Sequence, residues 1–335
     1  MGDMAAYDYD LPPSAIAQVP ADPRESARLL VALDTETAPE HRSVRDLPDL
    51  LGPGDVLVVN ETRVRPSRLR LRKETGGQVE VLLLEPGPAP GEWDALVRPA
   101  RRVPPGTRLA TAPGAPALVE VGEPTGRDDG SRKVRALGDL DGHAVLALPP
   151  YITTELDDPE RYQTVYARTA GSVAAPTAGL HLSEAVLDRC RERGADVRTV
   201  DLAVGLATFR PVTASRAEDH VMHAERYDVP AATLSACAAA RRVVAVGTTT
   251  VRALESAAAS GECSGATRLF IRDDYPFRVV DVLLTNFHLP RSTLLLLLEA
   301  FAGPGWRRLY ATARAEGYRF LSFGDAMLVG RAAAR

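Results

Sequence analysis

The pattern of apolar and polar positions divides this chain into a central region of short strands and two flanking regions where strands and helices alternate. In the central region, from about residue 69 to residue 148, proline and glycine turns separate short apolar runs. This spacing is typical of a β-barrel or a β-sandwich. The strands predicted there cover residues 78–84, 93–97, 107–109, 117–121 and 143–148.

Outside the central region, the pattern predicts strands that are followed by helices. Residues 55–60 form an apolar run that suits a strand buried on both faces. Ser183 is a predicted helix N-cap, and Gly194 ends the same helix. Further strands are predicted at residues 197–202, 243–246 and 279–284, with helices after the last two. Such alternation is typical of an α/β domain with a parallel sheet.

We therefore predict an α/β fold with two domains. The first is an α/β catalytic domain with a largely parallel sheet, built from both chain ends as residues 1–64 and 149–335. The second is a small antiparallel β-barrel inserted at residues 65–148.

The composition is that of a globular protein, with 45% hydrophobic and 25% charged residues. The formal net charge of −4 gives no positive field over the whole protein, so contact with nucleic acid requires a local basic patch. Three widely spaced cysteines fit a reducing compartment. The acidic N-terminus does not suit a signal peptide, and the longest apolar run, 294–298, is too short to span a bilayer. We expect a cytoplasmic protein without membrane contact; the oligomeric state stays open, with a monomer favoured.

Residues 171–181 read Gly-Ser-Val-Ala-Ala-Pro-Thr-Ala-Gly-Leu-His and have neither a strand nor a helix period. Small residues let a backbone approach a ligand closely, and glycine adopts positive φ without steric cost. The alternative is a tight connection that is poor in side chains. Because the run ends in the titratable His181, and similar loops follow downstream, we predict a binding loop.

Ligands of open α/β sheets bind beyond the carboxyl ends of the strands, and three further predicted loops lie there. Residues 247–250 offer amides and hydroxyls at a helix N-terminus for a carboxylate or a phosphate, unless the threonines are ordinary N-caps. Residues 285–290 present Asn286 and His288, as a site or as a structural pair. The third loop is 204–211, which contains Gly205.

His220, His223 and Glu225 are close in sequence. Their spacing is not that of a helical zinc protease, so no metal site is predicted. A general acid or base role for His223 or Glu225 is the better interpretation. A phosphate-binding P-loop motif and a dinucleotide-binding glycine motif after a strand are both missing from the sequence, which argues against an ordinary nucleotide or methyltransferase site.

Residues 63–73 contain six cations, and further arginines follow in the β-rich region. Such a cluster is a candidate surface for phosphate contacts with nucleic acid. Alternating arginines on an exposed strand, which discourage aggregation, are the alternative. The candidate nucleic-acid residues are Arg63, Arg68, Arg72, Lys73 and Arg101.

Several longer motifs together resemble one family, the S-adenosylmethionine:tRNA ribosyltransferase-isomerases (QueA) of queuosine biosynthesis. The resemblance covers nearly the whole chain. It rests on Tyr-Asp-Tyr-Asp-Leu-Pro at 7–12, Gly-Asp-Val-Leu-Val-Val-Asn-Glu-Thr-Arg-Val at 54–64, the loop 171–181, Met-His-Ala-Glu at 222–225, Gly-Thr-Thr at 247–249, Leu-Thr-Asn-Phe-His-Leu-Pro at 284–290 and Gly-Asp-Ala-Met-Leu at 324–328.

This resemblance implies an α/β domain with an inserted β-barrel, as the residue patterns also do. It implies that S-adenosylmethionine is a co-substrate that donates its ribosyl unit, with no metal. The isomerised unit would pass to the aminomethyl group of 7-aminomethyl-7-deazaguanine in a tRNA anticodon stem-loop. The expected products are epoxyqueuosine in tRNA, adenine and methionine.

The resemblance and the demands of this chemistry suggest roles for the candidate residues. The loop 171–181 is expected to cradle the donor, with His181 placed for proton transfer and with His223 and His288 as further catalytic candidates. The amides at 248–249, or Arg252, are expected to hold the methionine carboxylate. The substrate-binding candidates are Ser172, Ala175, Pro176, Thr177, Gly179, Gly205, Glu225, Gly247, Thr248, Thr249, Arg252 and Asn286.

Two segments depart from the family pattern. Ala203 and Ala207 stand where the family usually has a histidine and a glycine, and Arg272-Asp273-Asp274 replaces Tyr-Pro-Gly. If the missing imidazole performs a proton transfer, that step is weakened here. The alternative function is therefore that of a paralogue that cleaves or rearranges S-adenosylmethionine with a small-molecule acceptor, or with none.

Overall fold

The computed structural model describes residues 3–127, 129–205, 212 and 214–332. Within these ranges the chain is a mixed α/β protein in which two large sheets hold most of the strands. The α-helices are α1 (Glu184–Glu192), α2 (Ala231–Ala239), α3 (Thr248–Ser260), α4 (Thr293–Ala302) and α5 (Trp306–Ala315). The 3-10 helices are Met4–Tyr7, Pro13–Ala15, Arg24–Ser26, Val44–Leu50, Ala100–Arg102, Pro159–Tyr162, Thr177–His181 and Ala217–Asp219.

The strands follow the chain in the order of their labels. They are β1 (Arg28–Ala32), β2 (Glu40–Ser43), β3 (Asp55–Asn60), β4 (Thr62–Val64), β5 (Arg68–Arg72), β6 (Gln78–Pro86), β7 (Glu92–Arg98), β8 (Arg108–Leu109), β9 (Val119–Pro124), β10 (Arg132–Ala136), β11 (Ala144–Val145), β12 (Thr169–Ser172), β13 (Asp196–Leu202), β14 (Glu225–Asp228), β15 (Arg242–Val246), β16 (Ser264–Thr267), β17 (Val282–Asn286) and β18 (Ala326–Gly330).

The larger sheet, counted over the described residues, has nine strands in the order β16-β14-β13-β3-β15-β17-β18-β1-β2. The pairs β13–β3, β3–β15, β15–β17 and β18–β1 are parallel, and the other four pairs are antiparallel. The prediction of a largely parallel sheet is therefore wrong, because the sheet is mixed. The helices α4 and α5 connect β17 to β18. Strand β18 then pairs with β17 in the antiparallel direction.

The central strand β3 is buried on both faces, as predicted. Val56 and Val58 belong to the core cluster on one face, and Leu57 and Val59 belong to the cluster on the other. Apolar side chains of α3, α4 and α5 pack into the first cluster, and those of α1 pack into the second. Helices therefore cover both faces of the sheet, and the parallel strands β3, β15 and β17 end at one common edge.

The second sheet, within the described part of the chain, has seven antiparallel strands in the order β11-β5-β6-β7-β10-β9-β8. It has its own core, in which Leu69, Val81 and Val97 are buried. A bridge between Arg72 and Ala110, with hydrogen bonds of 2.7 and 3.0 Å in the two directions, links β5 to the chain just after β8. The sheet is therefore curled.

The chain forms two compact units. One combines the chain up to Arg63 with the chain from Pro149 onward, and it contains the nine-stranded sheet. The other is Val64–Leu148, which contains the curled sheet. Over the residues described, no helix is both long and apolar enough to cross a membrane.

Candidate active site

Two neighbouring cavities lie at the edge of the large sheet where β3, β15 and β17 end. Their empty volumes, including the open mouths, are about 570 and about 560 Å³. Thr248 and Thr249, in the first turn of α3, line both cavities, and Leu294 of α4 does so too. The start of α3 is therefore a shared wall between the two.

The N-terminus of α3 depends on its N-cap residue Gly247, which follows β15 and has a φ of 89°. This left-handed value favours glycine. The first backbone hydrogen bond of the helix runs from Val251 N to Gly247 O, so the amides of residues 248–250 precede it and are available to a ligand. The buried Asn60, at the end of β3, donates a hydrogen bond to Thr249 Oγ1 over 3.2 Å and holds this turn in place.

The first cavity has no charged side chain among the described residues that line it. Pro176 and Thr177 contribute the wall from the loop 171–181, and Asn286 and His288 contribute the wall at the end of β17. The hydroxyls of Tyr151 and Ser322, which lie 2.7 Å apart, and those of four further threonine and serine residues also line it. The cavity is thus apolar, with a few fixed polar groups.

The side-chain amide of Asn286 organises one side of the first cavity. Its Nδ2 donates hydrogen bonds to Thr177 Oγ1 and to the carbonyl oxygen of Leu321, both over 3.2 Å. Since a carbonyl oxygen only accepts, the amide oxygen of Asn286 must face the other way, where His181 Nε2 lies 3.1 Å from it. His181 therefore carries its hydrogen on Nε2 when neutral, and Nδ1 is the unprotonated nitrogen.

Leu321 adopts an unusual backbone conformation at this point. Its φ is 69°, in the left-handed region that leucine rarely adopts. Its amide donates to Phe287 O over 3.1 Å, and its carbonyl receives the Asn286 hydrogen bond. The strained residue is thus held from both sides next to the cavity, as is typical of functional sites.

His181 is only 4% exposed, and burial lowers its pKa to about 4. It is not among the described residues that line either cavity. Asn286, which forms a hydrogen bond with His181, does line the first cavity. The described structure places His181 behind Asn286, because the small-residue loop turns its histidine inward against β17.

His288 lines the first cavity, and burial lowers its pKa to about 3. Its Nε2 lies 3.0 Å from Thr285 Oγ1. Its backbone is held by two tyrosines: its amide donates to the Tyr310 hydroxyl over 2.8 Å, and its carbonyl accepts from the Tyr9 hydroxyl. The ring is therefore neutral at pH 7 and fixed in position.

The second cavity contains a buried ion pair. Arg252 Nη1 donates to Glu225 Oε2, and both side chains are less than one-tenth exposed. Arg252 Nε donates to Leu269 O over 3.2 Å, and the Gly205 amide donates to Glu225 Oε1 over 3.1 Å. Arg252 Nη2 is buried and has no hydrogen-bond partner among the described residues.

His220 and His223 also line the second cavity, but they are more accessible than the ion pair. His223 is exposed, and partial burial lowers the pKa of His220. The ring of His220 contacts the ring of Phe270 edge-on. Within the described ranges, no group of three or more His, Cys, Asp or Glu side chains is arranged to hold a metal.

Three predicted binding residues are used for internal contacts. The Ser172 hydroxyl donates to Ala174 O over 2.6 Å and accepts from Val204 N over 2.9 Å. Gly179 lies so close to Tyr166 that a Cβ there would overlap the tyrosine hydroxyl. Gly205 reaches the site only through its bond to Glu225. Ala175, Pro176, Thr177, Gly247, Thr248, Thr249 and Asn286 do line the first cavity.

The two departures from the family pattern are only partly described. The Ala203 amide donates to Arg226 O over 3.0 Å, whereas Ala207 lies outside the described residues. Arg272 lies within 3.3 Å of carboxylate oxygens of both Glu218 and Asp273, and the latter has a φ of 51°. The acidic replacement therefore forms a turn of its own, tied by ion pairs.

The predicted nucleic-acid residues are distributed over both compact units. In the larger one, Arg63 forms an ion pair of 2.7 Å with Glu160. In the curled sheet, the arginines of β5 alternate with buried leucines and lie on its outer face. Arg68 lies 3.6 Å from Glu80, Arg72 Nη1 donates to Gly76 O over 3.2 Å, and Lys73 donates to Arg102 O. Arg101 is exposed.

Sequence reasoning missed Asn60, Tyr151 and Ser322. Asn60 is the last residue of the predicted strand 55–60. A polar residue at the carboxyl end of a buried strand could have indicated a site residue. Tyr151 and Ser322 are 171 residues apart and lie in short irregular segments. No local pattern connects them, so only the fold could bring them together.

Comparison with known proteins shows which family the chain belongs to. A sequence profile of the family described as queuosine biosynthesis protein matches residues 4–329. An S-adenosylmethionine:tRNA ribosyltransferase-isomerase of Thermus thermophilus is 52% identical, with 98% of this chain and 100% of the relative aligned. One from Rubrobacter xylanophilus is 50% identical over 96% of each chain.

A solved structure has a similar fold. The crystal structure of S-adenosylmethionine tRNA ribosyltransferase from Thermotoga maritima is 36% identical and superposes with a TM-score of 0.55. The superposition covers 96% of this chain and 99% of that chain. From the profile match, the full-length relatives and the shared fold, we conclude that this chain belongs to the queuosine biosynthesis protein family.

Proposed function

We propose that this chain is an S-adenosylmethionine-dependent ribosyltransferase-isomerase. It transfers and isomerises the ribosyl moiety of S-adenosylmethionine onto the aminomethyl group of 7-aminomethyl-7-deazaguanine in tRNA. The products are epoxyqueuosine in tRNA, adenine and methionine. Membership of the family and the names of the full-length relatives support this reaction over that of a paralogue with a small-molecule acceptor.

The observation that carries the proposal is the first cavity, whose described lining is uncharged and ends at an imidazole. A sulfonium cation is destabilised by neighbouring cations and stabilised by aromatic faces. Tyr151 and Phe287 supply aromatic rings in the wall. We therefore assign the ribose and the sulfonium of the donor to this cavity.

The reaction needs a base, because the sulfonium acidifies the neighbouring C5′–H of the ribose. We propose that the His288 ring, which lines the cavity and is neutral at pH 7, removes this proton. His181 acts indirectly, by orienting Asn286 through its Nε2 hydrogen bond. His223, which lines the second cavity, is a further acid or base candidate.

The methionine carboxylate of the donor requires a cationic or amide-rich partner. The open amides of the first turn of α3 and the Arg252 guanidinium both lie beside the cavities. Thr248 and Thr249 line both cavities, so an extended donor can reach from one to the other past this turn.

For the tRNA, we propose that cations of the unit Val64–Leu148 contact phosphates; Arg101 is exposed, and Arg72 and Lys73 are half-buried. Arg72, Lys73 and Arg101 are the main candidates, and Arg68 is partly neutralised by Glu80. Phosphate contacts of this kind position the substrate without reading its sequence. We also propose that the two compact units are domains, a discontinuous catalytic domain and an inserted β-barrel domain that binds tRNA.

The test is incubation of the purified protein with S-adenosylmethionine and tRNA that carries the aminomethyl-deazaguanine base, followed by mass spectrometry. We expect adenine release and the mass of epoxyqueuosine only with this tRNA. Unmodified tRNA is the matched control. Adenine release that is equally fast without tRNA would favour the paralogue function instead.

A matched pair of variants tests the site. His288→Asn should lower adenine release by at least tenfold, because it removes the imidazole that faces the first cavity. His143→Asn changes an exposed histidine in the turn before β11 and should leave the rate unchanged. Equal rates in both variants would contradict the assignment of the first cavity.

A further inference from the structure

We propose that the second cavity is an α-amino-acid subsite, in which Arg252 holds the carboxylate of methionine and Glu225 holds its ammonium group. The subsite takes the methionine portion of the donor and, after the reaction, the free methionine product. This inference rests on the function proposed above, and it names the part of the substrate that the second cavity binds.

The unpaired nitrogen of Arg252 is the first step of the argument. The residue is 7% exposed, and two of its three guanidinium nitrogens have acceptors, Leu269 O and Glu225 Oε2. Nη2 is buried without a partner in the described part of the chain. A buried N–H without an acceptor is costly, so a ligand oxygen that reaches Nη2 gains a charge-assisted hydrogen bond.

The start of α3 points to the same ligand group. Arg252 lies one turn after Thr248 and Thr249, which also line the second cavity. The amides of that turn have no intrahelical acceptor, and the positive end of the helix dipole favours an anion. A carboxylate between this turn and Nη2 receives hydrogen bonds from both.

Glu225 decides which kind of anion fits. Its carboxylate lines the cavity and is fixed by the Gly205 amide and by Arg252. Its negative charge at the cavity wall favours a cationic group on the ligand, such as an ammonium group. A phosphate or a simple carboxylic acid meets the Glu225 charge and is repelled by it. A zwitterion satisfies both members of the ion pair.

The rest of the described wall is suited to an unbranched thioether side chain. Apolar groups of Met222, Leu269, Phe270, Ile271, Leu294 and Leu297 line the cavity. Methionine sulfur packs favourably against aromatic and apolar surfaces. Because Leu294 also lines the first cavity, the side chain that starts in the second cavity leads the sulfur toward the uncharged one.

The subsite is tested first with ligands and the unchanged protein, by calorimetric titration with L-methionine. We expect L-methionine to bind and to compete with S-adenosylmethionine. Methionine methyl ester lacks the carboxylate charge, and 4-(methylthio)butanoate lacks the ammonium group. Each should bind at least tenfold more weakly, in line with the loss of one charge-assisted hydrogen bond. No binding of L-methionine in the millimolar range, or equal affinity for the ester, would overturn the proposal.

Variants test the same subsite from the side of the protein. Arg252→Met should weaken L-methionine binding at least tenfold, whereas Arg268→Met removes an exposed arginine nearby and should not change it. Since Arg252→Met alone leaves the Glu225 charge buried without its partner, the double variant Glu225→Gln/Arg252→Gln serves as a second test. This variant should fold and lose methionine binding. Unchanged binding in it would contradict the proposal.

The failure of this inference is distinguishable from failure of the proposed function. Adenine release with an unchanged KM for S-adenosylmethionine in Arg252→Met, together with unchanged methionine binding, would refute the subsite and leave the reaction standing. Tight methionine binding with no adenine release under any tRNA condition would support the subsite and refute the reaction.

Discussion

His181 donates a hydrogen bond from Nε2 to the amide oxygen of Asn286 over 3.1 Å. This bond connects the end of the small-residue loop to the end of β17. Asn286 lines the first cavity and His181 does not, so the histidine acts on the cavity through the asparagine. The pair explains why a loop so poor in side chains ends in an imidazole.

Asn286→Ala is expected to lower adenine release at least tenfold. The substitution leaves the Leu321 carbonyl and the His181 ring without partners, and each buried group left unpaired costs about 1–3 kcal/mol. Chemical denaturation and the adenine assay measure the two effects. Gln78→Ala, which removes an exposed amide of β6, is the control. A fully active Asn286→Ala protein would contradict the role of this amide.

The stability of the protein should fall as the pH drops below 6.5. Burial lowers the pKa of His181 to about 4 and that of His288 to about 3. Between these values and 6.5, the unfolded chain binds a proton at each position and the folded chain does not. Each histidine therefore contributes a loss of about 1.4 kcal/mol per pH unit as the pH falls through this window.

Denaturation between pH 6.5 and 4.5 measures this dependence. His181→Gln and His288→Gln should each reduce the slope of stability against pH by about one proton. His143→Gln, which changes an exposed histidine, should keep the original slope. Unchanged slopes in the first two variants would show that these rings are protonated in the folded state.

Gly179→Ala should destabilise the protein by about 1–3 kcal/mol, since the new methyl group overlaps the buried Tyr166 hydroxyl. Tyr166→Phe should be neutral or stabilising, because that hydroxyl is buried with no partner in the described ranges. The double variant should recover much of the loss. The unfolding free energies of the unchanged protein, the two single variants and the double variant form a double-mutant cycle. If the two single changes in unfolding free energy simply add in the double variant, the clash is excluded.

Substitution of the candidate cations in the unit Val64–Leu148 should weaken tRNA binding. We expect Arg72→Gln, Lys73→Gln and Arg101→Gln each to reduce the slope of log affinity against log salt by about one. S-adenosylmethionine binding should not change. Arg135→Gln is the control, because this arginine lies on β10 of the same sheet and is paired with Glu120 at 3.2 Å. An equal salt slope in all four variants would remove the proposed surface.

Much of the fold around the site was predictable from local patterns. The Ser183 hydroxyl accepts from Val186 N and caps α1, as predicted, and β3 and β15 agree with the predicted strands to within one residue. One strand was misplaced. The sequence predicts it at 279–284, but β17 is Val282–Asn286, because the carboxylate of Glu255 binds the amides of residues 278–280. A long-range side-chain contact overrode the apolar pattern.

Other features had no local signal. Strand β10 was missed because it lacks a clear apolar alternation. Its two inward residues are Arg132 and Val134, and the buried Arg132 donates to Val103 O. The direction of β18 was also hidden, since parallel and antiparallel central strands are equally apolar. The position of His181 depends on the fold as a whole. The sequence shows that His181 ends the loop 171–181, but it does not show which way the ring faces.

The strands that meet at this site come from distant parts of the chain. Tyr9, near the start, donates to the His288 carbonyl, and Asn286 is bonded to Leu321, which precedes β18. A ribosome-bound chain therefore cannot complete this site before the segment around Leu321 has emerged. A nascent chain that stops short of Leu321 lacks part of the wall of the first cavity, because domains fold as units.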